Sequence, residues 1–149
     1  MDEALDGSAP PGEGVAMRLL QTEADITRYW RAVRETLEVP SAQLSFLAID
    51  ERGVAQPQLT TIDGLPTTPQ QHVVDDIVDV LAAVNHQLVP RGSVAVLWTR
   101  PGRGPMRPEE STWLRLLDDE LRRRGVTAWP PHYANEAYLR VVLADDLAA

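Results

Sequence analysis

The tightest constraint in this sequence is the run Ser93-Val94-Ala95-Val96-Leu97-Trp98, set between Gly92 and the loop Arg100-Pro101-Gly102-Arg103-Gly104-Pro105. From Val94 to Trp98 every position is apolar, and the run is too short for an ordinary helix. That pattern, bounded by chain-breaking residues, is a strand buried on both faces. Pro108-Glu109-Glu110 then opens a helix, with Pro at its first position and two acids at the positive end of its dipole. Strand, loop and helix in that order belong to an α/β protein, whose ligands bind beyond the carboxyl ends of the strands. The loop nevertheless carries no carboxylate, His or Cys before Glu109. The position is that of a site, and the residues are not those of a catalytic one.

The flanking sequence fills in the architecture. A helix is expected from Glu23 to Leu37, capped by Thr22 with Asp25 three residues on, and carrying the stripe Ile26, Tyr29, Trp30, Val33 and Leu37. Gln43 to Asp50 reads as an interior strand, Glu51-Arg52-Gly53 as a turn, and Val54 to Asp63 as an antiparallel partner. Pro57 places that partner at an edge or a bulge. A second helix is expected from Pro69 to Leu88, capped by Thr68. Its inner side would be Val73, Ile77, Val80, Leu81, Val84 and Leu88, with Asp75, Asp76 and Asp79 in solvent. The third helix spans Glu109 to Arg124, with Leu114, Leu117 and Leu121 inward and Gly125 past its end. Val126 to Trp129 and Ala137 to Leu143 are expected as two further strands, and the last residues, from Ala144, should fray. The order α-β-β-α-β-α-β-β predicts a mixed sheet flanked by helices, a single domain over residues 16–149. Residues 1–15, acidic and rich in Gly and Pro, are expected to be a disordered tail.

Composition narrows the chemistry. There is no Cys, so disulfides, thiolate nucleophiles and zinc-thiolate sites are excluded. The chain carries a net charge of -8 and all its basic side chains are Arg. Indiscriminate binding to nucleic acid or to an anionic membrane is therefore disfavoured. No apolar run is long enough to span a membrane, and the acidic start is unlike a signal peptide, so a cytoplasmic protein is the expectation. The charge is polarised, however: Arg91 to Arg124 holds eight Arg against five acids.

The element order and several local motifs resemble the RadC-like branch of the JAB/MPN (JAMM) metalloprotease domains, over roughly Leu20 to Leu143. The likeness rests on Leu47-Ala48-Ile49-Asp50-Glu51-Arg52-Gly53, Thr61-Ile62-Asp63-Gly64, Val94 to Arg107, and Gly125 to His132. It implies a three-layer, cytidine-deaminase-like α/β fold and a zinc site. Carried over position by position, the two zinc-binding His fall on Trp98 and Arg100, and the Asp ligand falls on Ser111 beside Glu110. Pro101 is kept, the family's following Ser is Gly102, and His132 keeps the downstream His while its Asp partner is Pro131. An indole and a guanidinium offer no lone pair to a metal. The resemblance therefore implies a layout without its metal: no catalytic residues, no cofactor and no metal.

The binding candidates are the replaced pocket and the Arg loop: Trp98, Arg100, Arg103, Arg107, Ser111, Trp113 and His132. Trp98 and Trp113 are placed to meet over the replaced metal cradle, as core or as an anchor for a partner. The Arg loop before a helix N-terminus suits an anion or an acidic partner, or is a solvated loop. It is not a nucleotide phosphate loop, lacking the Gly-Lys-Ser/Thr ending. Glu109 and Glu110 read as helix-start acids. His72 and His86 read as surface residues, and Ser93 and Ser111 have no apparent His-acid partner for nucleophilic chemistry. The expected function is a non-catalytic RadC/JAB-like domain acting through a protein partner or as a homodimer. The alternatives are a nucleic-acid-associated, DNA-repair-type RadC-like factor, with weak salt-sensitive binding, and a residual hydrolase with rearranged ligands.

Overall fold

A computed structural model describes residues 19–147; the tail expected at 1–15 lies outside them. The chain forms α1 (Glu23–Arg34), β1 (Gln43–Ile49), β2 (Ala55–Ile62), α2 (Gln71–Leu88), β3 (Ser93–Thr99), α3 (Pro108–Arg123), β4 (His132–Ala134), β5 (Leu139–Val141) and α4 (Ala144–Leu147). It is an α/β fold with one five-stranded mixed sheet in the order β2-β1-β3-β4-β5. β1 is antiparallel to β2 and to β3, β3 is parallel to β4, and β4 is antiparallel to β5. The apolar run Ser93 to Trp98 is thus the middle strand.

Alternation along the strands divides the core between the two faces. Leu44, Phe46, Val94, Val96, Trp98 and Tyr133 pack against α2 and α3, while Leu47, Ile49, Ala95, Leu97 and Ala134 pack against α1. β1, with neighbours on both sides, is buried throughout, and β2 is an edge strand. Pro57 lies where the β1–β2 register slips between Leu47↔Leu59 and Ile49↔Ala55, so its missing N–H breaks no regular ladder.

Several expected boundaries move. α1 ends at Arg34, because Thr36 and Leu37 hydrogen-bond three residues back instead of four. α2 begins at Gln71 after an extended Gln70, so Thr68 and Pro69 precede the helix and Thr68 is not its cap. The inner face of α2 is Val74, Ile77, Val78, Leu81, Ala82 and Asn85, whereas Val80 and Leu88 are exposed. Both sets have helical spacing. The one that wins seats Val74, Val78 and Ala82 in the core and satisfies Asn85, whose amide donates to the Val89 carbonyl at 3.1 Å.

The strand expected at Val126 to Trp129 is only a parallel bridge of Ala128 to Val94. The Val94 N–H donates to the Thr127 carbonyl and the Trp129 N–H to that of Val94, but Pro130 and Pro131 have no N–H to continue the ladder. Pairing resumes beyond them as β4, at His132–Ala134, in the segment expected to connect two strands. β5 is shorter than Ala137 to Leu143. The last residues described do not fray: α4 seats Leu147 in the α2–α3 core.

Candidate functional site

β3 carries Trp98 and Thr99 to the carboxyl edge of the sheet, and Arg100 follows immediately. β4 brings Tyr133 alongside, opposite Trp98 in the parallel register. α3 starts beyond the loop and turns Glu110 inward, in line with Leu114, Leu117 and Leu121 one, two and three turns later. Trp98, Arg100, Glu110 and Tyr133 meet in the interior, each 6 % exposed or less.

Glu110 is the centre of the cluster. One carboxylate oxygen accepts from the Arg107 backbone N–H at 2.8 Å and from the Tyr133 hydroxyl at 3.1 Å. The other accepts from the Trp98 indole N–H at 3.2 Å and lies 2.9 Å from Arg100 Nε. Arg100 Nε donates to the Tyr133 hydroxyl at 2.7 Å, so a chain of donors runs from Arg100 through Tyr133 to Glu110. The rest of the guanidinium is directed at the loop: Nη1 donates to the Pro101 carbonyl, and Nη2 to the carbonyls of Arg103 and Pro105.

Burial by itself would lower the Arg100 pKa, but the Glu110 charge and the Tyr133 contacts outweigh it and leave it raised. Burial, with the Glu110 charge next, pushes the Tyr133 phenol up, so it stays a donor at neutral pH. A buried ion pair holds only when its remaining donors and acceptors are also satisfied, which this one achieves.

The expected site residues fall into four groups. Trp98 and Arg100 converge on Glu110, and Trp113 packs on Trp98 with ring centroids 5.6 Å apart while its N–H donates to the Pro66 carbonyl at 3.0 Å. Arg107 and Ser111 instead line a neighbouring cavity of about 740 Å³, and the Ser111 hydroxyl donates to the Asp146 carbonyl at 3.2 Å. Arg103 contributes its carbonyl to Arg100 and extends an exposed side chain. His132 stands apart: its register partner is Leu97, so it points to the α1 face. There its Nε2 meets the Thr27 hydroxyl at 2.7 Å, and burial pushes its pKa down to about 4, with the Arg31 charge acting the same way.

Sequence reasoning missed Glu110 and Tyr133 as partners. The signal for Glu110 was present, because 110, 114, 117 and 121 form one helical line and a carboxylate on an inward line needs a buried cation. Tyr133 left no such signal, since its strand is separated from the bridge at Ala128 by two prolines.

The residues at the place of the implied zinc ion do not fit a metal. Trp98 and Arg100 supply only donors, and the four close contacts on Glu110 occupy both of its oxygens. Among the described residues, no group of three or more His, Asp or Glu is placed to hold a metal ion, and no helix is long and apolar enough to cross a membrane. The chain matches no protein-family model, no curated protein and no solved structure.

Proposed function

We propose that this chain is a non-catalytic domain of the RadC/JAB kind that works by binding protein, a partner or a second copy of itself. The observation that carries the reading is the state of Glu110. A carboxylate serving as metal ligand or general base needs a free oxygen, and here each oxygen has two close partners. Trp98 and Arg100, at the two positions where the family resemblance puts its zinc-binding His, act as donors to that carboxylate. The cluster fixes the β3–α3 loop instead of activating water.

What the fixed loop presents supports a recognition role. Arg103 and Arg107 extend outward from a backbone clasped by Arg100. On α2, exposed Asp76 lies one turn before Val80, an exposed apolar residue, and so provides a surface of opposite charge, while Asp79 beside it is paired with Arg124 at 2.7 Å. Surfaces of opposite sign on one chain suit head-to-tail or dimeric association. Sedimentation velocity on the wild type and an R103E/R107E variant tests this. The charge reversal is expected to shift the distribution toward monomer or to abolish capture of a partner; unchanged sedimentation and unchanged partner capture would refute the reading.

A further inference from the structure

The cavity beside the Glu110 cluster shares only Arg107 with that proposal. It opens between the β3–α3 loop, the first two turns of α3, β5 and α4, and holds about 740 Å³, the size of a small-molecule site. Three guanidiniums from three different elements line it: Arg107 from the loop, Arg115 from α3 and Arg140 from β5. Among the described residues Arg107 and Arg115 form no ion pair. Among the described residues the one carboxylate on the wall is Asp146, 3.3 Å from Arg140 and also accepting from the Leu143 N–H at 2.9 Å. The described residues of the wall thus carry a local charge of +2 on a chain whose net charge is -8. Cations gathered on a concave wall repel one another unless an anion lies among them.

The form of the wall selects the anion. A carboxylate has two oxygens and a single charge, and one guanidinium satisfies it bidentately. A phosphate monoester has three terminal oxygens and a charge close to -2 at neutral pH, which matches three guanidiniums and a net +2. The hydroxyls nearby are committed elsewhere, Ser111 to the Asp146 carbonyl and Thr112 to the Pro108 carbonyl, so recognition falls to the arginines. The cavity is much larger than a phosphate group. Met106, Leu147 and the half-buried ring of Tyr138 give its remaining wall an apolar character suited to the body of an ester.

We propose that this cavity binds a small-molecule phosphate monoester, with Arg107, Arg115 and Arg140 on the phosphate oxygens and the apolar wall on the group that bears it. The proposal does not depend on self-association. Its decisive residues, Arg115 and Arg140, are not those that test assembly, so either idea can fail alone.

The test is calorimetric titration of the full chain at physiological salt with phenyl phosphate, inorganic phosphate and benzoate, paired with amide NMR spectra. One-site binding is expected, tightest for phenyl phosphate and mapped to Ser111, Thr112 and Arg115. R115Q and R140Q should each weaken it by about tenfold or more, the scale of a lost charged hydrogen bond. R122Q, which alters an exposed arginine at the far end of α3 paired to Asp118, should leave it unchanged. Arg115 is exposed, so R115Q remains informative if R140Q disturbs the fold. Three results would overturn the proposal: no saturable binding of phenyl phosphate, equal affinity for benzoate or inorganic phosphate, or equal losses in R115Q and R122Q.

Discussion

Lowering the pH from 7.5 to 5.0 should destabilise the fold through His132. The ring is fully buried against α1. Thr27 Oγ1 already donates to the Glu23 carbonyl, so it accepts from the imidazole, which assigns the proton to Nε2. Nδ1 is left buried without a hydrogen-bond partner. Folding therefore depresses the pKa from 6.5 to about 4, with burial as the main cause and the nearby Pro130 backbone offsetting only part of it. The unfolded chain takes up a proton below 6.5 that the folded chain refuses until about 4. Stability is thus complete above 6.5 and falls as pH drops through that window. A gap of that size corresponds to about 3 kcal/mol in all, of which about 2 kcal/mol is lost by pH 5. Asp25, Asp50 and Asp146 have lowered pKa values, each held down first by a backbone N–H, so their contributions disappear only below the ordinary carboxylate value of 3.8. Urea denaturation at pH 7.5 and 5.0 reads the loss directly. H132Q keeps an amide able to reach Thr27 and removes the titration, so its midpoint should change much less over this interval. If H132Q loses as much stability as the wild type, the assignment to His132 is wrong.

Three further perturbations test the packing. Glu110→Leu leaves Arg100 buried without its counter-charge and should cost about 3–5 kcal/mol by urea denaturation, while the Arg100→Met/Glu110→Leu double variant should recover a large part of that loss. Gly92→Ala would place its Cβ 2.0 Å from the Ile49 carbonyl oxygen, so backbone must move and a loss of at least about 2 kcal/mol is expected from the thermal midpoint. Thr22→Ala removes the side-chain half of the α1 capping box and should cost about 1 kcal/mol, with far-UV circular dichroism otherwise unchanged.

The secondary structure was legible wherever one periodicity had no rival. α1, β1, β3 and α3 each have a single apolar pattern, and each appears close to where that pattern puts it. α2 offered two inward faces of similar hydrophobicity, and the buried one includes Asn85, whose amide reaches the Val89 carbonyl, a contact beyond any hydropathy pattern. Around Pro130-Pro131 the extended backbone was legible but the pairing was not. Ladder pairing depends on N–H groups, so the apolar stretch before the prolines became a bridge and the strand formed after them.

The site was legible as a place and not as a set of contacts. The loop after β3 contributes three arginines to the chain's charge, and composition treats them alike. Their side chains have different fates because Arg100 follows a buried strand directly and remains inside, where Glu110 and Tyr133 neutralise and orient it. Once inside, it binds the carbonyls of Pro101, Arg103 and Pro105, and so fixes the loop from which Arg103 and Arg107 project. One guanidinium is thereby committed to holding the others in place. The Arg107 cavity needs this arrangement, because Arg115 and Arg140 come from elements that a freely moving loop would not keep in register with it. Sequence spacing marks the loop as basic; only the buried acid on α3 explains why Arg100 is drawn inside while Arg103 and Arg107 stay exposed.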